Sequence, residues 1–236
     1  MLIRDDGETW TAITQPAHAF LSGQVAAHWA SPLAPDVILG VQQHDVPWVD
    51  QDRMPTLHPP ARRAASFIEL DMATRLRVWS TVTERLVAQS PYAALLVSLH
   101  STNIHTRYLP EEMRPYELLA KTRADQDALL AVLPDVTRKQ AERDAEFVFA
   151  LDALSLTLCH GWDGRDLPAI DGQVIRVEPV DDDAATLDPW PLGVDALEVT
   201  VDARVVRERF DDEPAMHAAL AATPNTRLRW TLRPGR

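Results

Sequence analysis

The spacing of apolar residues changes from helical to strand-like late in this chain of 236 residues. Up to residue 160, apolar side chains recur on one helical face, as at Leu21, Val25 and Trp29. From residue 172 onwards they alternate with polar residues, as in residues 197–205, which is the period of a half-buried strand. This change predicts an α+β fold with a mostly helical core of about six helices, followed by C-terminal strands.

A β-hairpin is predicted at the start of the chain. Residues 2–14 contain two short runs that flank Asp6-Gly7, a dipeptide suited to a tight turn. Since a lone two-stranded hairpin is marginally stable in water, we expect it to join the C-terminal antiparallel strands in one small sheet. A separate C-terminal lid is the alternative. We divide the chain into residues 1–165, the hairpin and the helical core, and residues 166–236, a β-rich subdomain packed on that core.

Several local boundaries follow from turn and capping residues. Ser90-Pro91 predicts a helix start, because serine is a favoured N-cap and proline is favoured in the first turn. Gly161 predicts the end of the last long helix, after His160. The acidic segment of residues 181–191 is predicted to be a loop.

The charge of the chain excludes some partners. There are 35 acidic and 23 basic residues, which gives a formal net charge of −12. Such a field repels phosphates, so we expect neither a nucleic-acid surface nor an anionic membrane surface. No stretch has the length of a membrane span, the charged start is unlike a signal peptide, and Cys159 is the single cysteine. These features favour a cytoplasmic protein without disulfides.

Ionisable residues interrupt four apolar segments. They are His18, the pair His44-Asp45, His100 and Asp152, and Asp152 is the only charge in residues 147–159. Burying a carboxylate costs several kcal/mol unless it is paired or bound to a metal. Imidazole nitrogens together with carboxylate oxygens suit one divalent transition metal, and Mn, Fe, Co, Ni and Zn all fit.

The order of these residues resembles the HD superfamily of metal-dependent phosphohydrolases. His18, His44, Asp45 and Asp152 match its histidine, histidine-aspartate and aspartate ligands, and residues 38–45 resemble its signature helix. More closely, residues 13–19, 43–48, 96–100 and 151–156 are similar to an uncharacterised bacterial family known only as a domain of unknown function. The sequence departs from the HD pattern after the His-Asp pair, where Val46-Pro47-Trp48 replaces an aliphatic residue, glycine and often lysine.

The resemblance implies a reaction and roles for particular residues. It implies an HD-like helical core whose metal activates a water against a small phosphoester or nucleotide-like substrate. Asp45 and His100 are then the predicted catalytic residues, with His100 either as a general acid or as the residue that orients the leaving group. The predicted pocket residues are Trp48, Asp52 and His105. No basic residue is predicted to grip a phosphate.

Non-catalytic interpretations are left open by the sequence. The protein could be a ligand-binding or interaction protein that keeps the HD-like fold. His18 alone is typical of a core histidine, and Trp48 could simply pack on the helices. The remaining histidines have no supporting pattern and are interpreted as surface or loop residues: His28, His58, His160 and His217.

Overall fold

The computed structural model of the protein describes residues 1–235. Its helices are α1 (Gln15–Ala26), α2 (Pro35–Gln42), α3 (Val49–Arg53), α4 (Met72–Trp79), α5 (Val82–Leu86), α6 (Pro91–Arg107), α7 (Tyr116–Ala131), α8 (Arg138–His160) and α9 (Glu213–Ala222). Its strands are β1 (Leu2–Asp5), β2 (Trp10–Ile13), β3 (Leu57–His58), β4 (Arg63–Ala64), β5 (Arg165–Asp166), β6 (Arg176–Asp181), β7 (Ala184–Asp188), β8 (Leu197–Val206) and β9 (Thr226–Pro234). Short 3₁₀ helices cover Val46–Trp48, Phe67–Glu69 and Glu111–Met113. Within these described residues, no helix combines the length and the apolar character that crossing a membrane requires.

Both ends of the chain contribute to a mixed sheet of seven strands, counted over residues 1–235. The strand order is β1-β2-β8-β9-β7-β6-β5, and neighbouring strands are antiparallel except for the parallel pair β7 and β9. The N-terminal hairpin joins the C-terminal strands through β2 and β8, where Trp10 pairs with Val206 and Ile13 with Ala203. Strand β9 lies between β8 and β7, so both of its edges are hydrogen-bonded.

The predicted mostly helical core with a small antiparallel sheet is wrong, because the sheet is large and mixed. Much of the additional sheet is β5, β6 and β7, and β7 lies inside the segment that was predicted to be an acidic loop. Each of these strands has a solvent-facing side. In β6 and β7, Val177 and Leu187 are buried while Arg176 and Asp188 are exposed. The acidic residues 181–183 and Pro189 flank β7, and such turn-forming residues favour the loop that was predicted.

The helices that matter for the site pack against one another and against the sheet. Helices α1, α2, α6 and α8 form the centre of the helical layer, α1 also contacts β8, and α8 contacts β1 and β6. Helix α6 begins as predicted, since the Ser90 hydroxyl accepts from the Ala93 N–H and Pro91 occupies the first turn. Residues 93–97 of this helix are fully buried. Polar side chains further along α6 consequently face protein rather than water.

The C-terminal end of α8 is fixed from two directions. Gly161 follows the helix with φ 66°, the left-handed conformation that favours glycine and that ends many helices. The guanidinium of Arg4, on β1, donates to the carbonyls of Cys159 and Leu158. A cation at this end of a helix also balances the partial negative charge of its last carbonyls. The sheet thereby holds the helix that carries Asp152.

Candidate metal centre

Three parts of the chain bring the four predicted ligands together. His18 lies in the second turn of α1, Asp152 lies in the middle of α8, and His44 and Asp45 follow the end of α2. Helix α2 ends at Gln42, and the 3₁₀ helix of Val46–Trp48 begins directly after Asp45. Because the α-helix has already ended, the adjacent side chains of His44 and Asp45 both turn inward, and all four side chains are buried.

The orientation of His18 is set by Ser155, one turn beyond Asp152 on α8. The Ser155 hydroxyl donates to the carbonyl oxygen of Asp152 at 2.9 Å, and its oxygen lies 2.8 Å from His18 Nδ1. Because the hydroxyl proton is already used, Ser155 Oγ accepts from His18 Nδ1–H. In the neutral ring, His18 Nε2 then carries a lone pair, and it lies 2.7 Å from Asp45 Oδ2.

His44 is also held with Nε2 toward the carboxylates, by a hydrogen bond to the preceding helix α2. His44 Nδ1–H donates to the Val41 carbonyl at 2.8 Å, which leaves a lone pair on Nε2 of the neutral ring. His44 Nε2 is buried and has no hydrogen-bond partner of acceptable geometry among the described residues. It lies 3.3 Å from Asp152 Oδ1 and 3.8 Å from Asp45 Oδ2.

These contacts fit a bound cation. Two nitrogen lone pairs face two carboxylate oxygens, an arrangement that is repulsive unless a proton or a metal ion lies between them. Metal bonds to such atoms are about 2.0–2.2 Å long, so two atoms that share an ion lie at most about 4.4 Å apart. Three distances join the lone pairs to the carboxylate oxygens within that limit: 2.7 Å from His18 Nε2 to Asp45, 3.8 Å from His44 Nε2 to Asp45, and 3.3 Å from His44 Nε2 to Asp152. His18, His44 and Asp45 form one buried group that could hold a metal ion.

The pKa values of the cluster residues also fit a bound cation. Burial alone would lower the pKa of His44, but the negative charges of Asp45 and Asp152 outweigh it and raise that pKa to about 9. Burial would likewise raise the pKa of Asp152, whereas the neighbouring imidazole of His44 lowers it to about 2. Without a metal, the two carboxylates thus retain a proton on His44. A divalent cation can replace that proton, as happens when metals bind histidine sites.

His100 extends the cluster beyond Asp152. Its Nε2 lies 3.6 Å from Asp152 Oδ2, and together with His44 and Asp152 it forms a second group able to hold an ion. The ring is completely buried, and neither nitrogen has a hydrogen-bond partner within residues 1–235. Burial lowers the pKa of His100 to about 4, so the ring is neutral at physiological pH. Its unpartnered nitrogens make it a candidate additional ligand.

A cavity of about 340 Å³ opens onto the carboxylates of Asp45 and Asp152. The predicted pocket residues Trp48 and His105 line it, and His105 Nδ1–H donates to the Ser101 carbonyl at 2.7 Å. Asp52 does not line this cavity. Its buried carboxylate instead accepts from the Gln15 N–H and pairs with the amino group of Met1 at 2.5 Å. Burial raises the pKa of Asp52.

Two arginines and several aromatic rings of the cavity were missed by sequence reasoning. Arg75 comes from α4 and Arg165 from β5, and neither lies within a segment that was predicted to carry a ligand. The aromatic residues of the wall are Trp48, Phe67, Trp79, Tyr108 and Trp162. Of these, only Trp48 follows a recognisable motif. The others lie in an amphipathic helix or in loops, where no pattern distinguishes a cavity residue from a packing residue.

The fold and the site define an α+β protein with a buried two-histidine, two-aspartate cluster at the floor of an aromatic cavity. The chain belongs to the DUF3891 family, described as a protein of unknown function, and the match covers residues 1–208. This match confirms the predicted membership of a family of unknown function. No curated protein and no solved structure shows a significant similarity to the chain.

Proposed function

We propose that this protein is a metal-dependent hydrolase of a small phosphoester, with one divalent transition metal held by His18, His44, Asp45 and Asp152. The observation that carries the proposal is the pair of imidazole lone pairs directed at two carboxylates. The order of these ligands along the chain also follows the pattern of the HD superfamily. The donor set of two nitrogens and two oxygens suits Mn, Fe, Co, Ni or Zn.

The position of the cluster suits hydrolysis of a bound ester. Asp45 and Asp152 line the cavity, so a substrate would meet the carboxylate side of the site, while both histidines lie behind it. When bound, the metal would supply Lewis acidity and a water of lowered pKa. Hydrolysis of a phosphoester consumes one water: its oxygen bonds to phosphorus, the ester P–O bond breaks, and the alcohol leaves with a proton.

In this scheme, His100 positions Asp152 and does not contact the substrate. It is buried, neutral and outside the cavity lining, and it contacts the side of Asp152 that faces away from His18. His105 is the imidazole that reaches the cavity, with Nδ1–H bonded to the backbone and Nε2 left as an acceptor. The predicted general-acid role of His100 stays a prediction, and a His100→Gln variant assayed for both metal content and turnover tests it.

Metal analysis of protein purified without chelator tests the proposal directly. We expect close to one equivalent of a transition metal in the wild type, and loss of that metal in His44→Gln and Asp152→Asn. His28→Gln is the matched control, because His28 is exposed and its side chain bonds only to the Gln24 carbonyl near the end of α1. An absence of metal that reconstitution does not restore would contradict the proposal.

Turnover is measured separately on the metal-loaded protein, with phosphomonoesters, phosphodiesters and nucleotides as substrates. Hydrolysis that disappears on chelation and returns with metal is the expected result. Bound metal with no turnover would instead support the non-catalytic alternative, a ligand-binding protein. In that case Asp152→Asn lowers the melting temperature through loss of the metal, without affecting any reaction.

A further inference from the structure

The walls of the cavity are flat and apolar. Trp48 meets Trp79 edge to face, with ring centroids 6.2 Å apart and an interplanar angle of 88°. Trp48 meets Phe67 in the same way at 6.3 Å. Tyr108 and Trp162 complete the wall on the side of α8. Aromatic side chains arranged around a slot favour a ligand that is itself flat and apolar.

The cavity also contains a cationic group without an internal partner. Arg75 lines the cavity and is half-buried, and its buried Nε has no hydrogen-bond partner among the described residues. Arg63, by contrast, is buried and contacts the carboxylates of Asp5 and Glu69. A buried donor left unsatisfied costs free energy unless a ligand or water satisfies it. Arg75 is therefore available to donate hydrogen bonds to a ligand that enters the cavity.

Arg165 contributes a second positive charge to the lining of the cavity. It is exposed, and its guanidinium lies 4.4 Å from the ring centroid of Trp162. A guanidinium stacked on an indole keeps its edge free for hydrogen bonds to an anion. The cavity thus contains two arginines in a chain with a net charge of −12. With two carboxylates in the same cavity, two arginines can balance the charge of one small anionic group but not the larger negative charge of a polyphosphate.

We infer that the cavity selects a phosphate monoester of a flat, apolar alcohol, with Arg75 binding the phosphoryl group and the aromatic walls binding the alcohol part. This inference rests on the proposed function, which requires the phosphoryl group to reach Asp45 and Asp152. It adds the class of substrate: aryl and similar monoesters are preferred over polar sugar phosphates and over nucleoside triphosphates.

Binding of phenylphosphonate to the metal-loaded protein tests the inference, because its C–P bond resists hydrolysis. Tryptophan fluorescence or calorimetry reports the binding. We expect phenylphosphonate to bind roughly tenfold or more tightly than methylphosphonate, since burying a phenyl ring contributes about 1.5–3 kcal/mol. Benzoate, which keeps the ring and replaces the phosphonate with a carboxylate, should bind more weakly than phenylphosphonate. Equal affinity for phenylphosphonate and methylphosphonate would overturn the inference.

Variants of Arg75 test the anion site. Arg75→Gln should weaken phenylphosphonate binding roughly tenfold to a hundredfold, the usual range for loss of a charge-assisted hydrogen bond. Arg75→Lys keeps the charge and should recover part of the affinity. Arg77→Gln is the matched control on the exposed side of the same helix and should leave binding unchanged. Unaltered affinity in Arg75→Gln would exclude Arg75 as the anion site.

The results of these experiments distinguish a failure of this inference from a failure of the proposed function. Metal content is measured on every sample, and Arg75 is not a proposed metal ligand. If phenylphosphonate binds as expected but no ester is hydrolysed, the hydrolase proposal fails and the ligand class stands. If glycerol phosphate or a nucleoside triphosphate is hydrolysed faster than phenyl phosphate, the hydrolase proposal stands and the ligand class is wrong.

Discussion

Ser155 determines which nitrogen of His18 faces the carboxylates. Its hydroxyl is anchored on the Asp152 carbonyl and accepts from His18 Nδ1–H. Partners of this kind fix the tautomer and the ring orientation of metal-binding histidines, and their loss commonly costs 10- to 100-fold in affinity, on the order of 1–3 kcal/mol. A single hydroxyl outside the proposed ligand set would therefore contribute to the affinity of the proposed site for a metal.

We expect Ser155→Ala to weaken metal binding roughly tenfold to a hundredfold, measured by competition with a chromogenic chelator. Thr157→Val is the control, because Thr157 lies on the same helix and its hydroxyl bonds only to the Ala153 carbonyl. Comparable affinities in the Ser155→Ala and wild-type proteins would show that His18 is oriented by other contacts or is not a ligand.

His160 makes the free energy of unfolding depend on pH in the acid range. Its ring stacks on Trp162 at 4.4 Å, and burial, assisted by the positive charges of Arg4 and Arg165, lowers its pKa to about 4. The unfolded chain has a histidine pKa of about 6.5, so it binds the proton first as pH falls. The free energy of unfolding should consequently decrease as pH falls from about 6.5 to about 4.

The variant His160→Phe keeps the stacking and removes this titration. We expect a smaller decrease in the free energy of unfolding between pH 6.5 and pH 4 than in the wild type, measured by urea unfolding at each pH. His28→Gln, which changes an exposed histidine, should retain the wild-type pH dependence. An identical pH dependence in His160→Phe and wild type would show that His160 is not responsible.

The proposed ligands could be predicted from sequence, but most of the cavity could not. Asp152 is the only charge in a long apolar segment, and this local contrast identifies it without knowledge of the fold. Arg75 and Arg165 have no such contrast, because each lies among other polar residues. Only the folded structure shows that both line one cavity. The roles of Asp52 and Ser155 likewise depend on partners far away in sequence.

At the scale of elements, the close approach of α1 and α2 positions His18 beside His44. Gly23 of α1 permits it: a Cβ added there would lie 2.7 Å from Gln42 Cβ and 3.1 Å from Gln42 Cα. Gln42 is the last residue of α2, directly before the turn that carries His44 and Asp45. The ring centroids of His18 and His44 are 5.0 Å apart as a result.

Gly23→Ala should separate the two helices and disturb the cluster. We expect the free energy of unfolding to decrease by about 1–3 kcal/mol, the usual cost of overpacking, together with weaker metal binding. Gly193→Ala is the control, because an added Cβ there meets only an ordinary contact at 3.5 Å. If Gly23→Ala retained both wild-type stability and wild-type metal affinity, the spacing of α1 and α2 would not determine the site.

Helix boundaries were easier to predict than strands. The caps at Ser90 and Gly161 are chemical features of single residues, and both mark helix ends in the structure. Strands β5, β6 and β7 have no comparable marker. Strand β6 pairs with β7 in a local hairpin, but β7 itself pairs with β9 more than 40 residues later. Pattern analysis of a single segment does not detect such pairing.

At the scale of the whole molecule, the sheet joins the two ends of the chain. The proposed boundary between residues 1–165 and residues 166–236 stays a prediction, but strands from both parts are hydrogen-bonded through β2 and β8. Helix α1 also packs on β8. These contacts favour one cooperative folding unit over a core with an independently folding lid.

We therefore expect one unfolding transition in urea. Far-ultraviolet circular dichroism, which follows the helices, should coincide with tryptophan fluorescence, to which Trp10 on β2 and Trp230 on β9 contribute. Coincident midpoints in the metal-free and metal-loaded protein are the expected result, with the loaded protein shifted to higher urea. Two separated transitions would identify the C-terminal strands as an independent unit.

The interior position of β9 has a consequence for synthesis on the ribosome. The sheet cannot close until residues 226–234 have emerged, because β9 separates β8 from β7. At about 5–20 residues per second, synthesis of β9 is complete roughly two to nine seconds after that of β7. Until then the apolar inner faces of β7 and β8 lack their shared neighbour and are exposed to aggregation. A nascent chain of this protein should therefore depend on holding chaperones until its final strand is made.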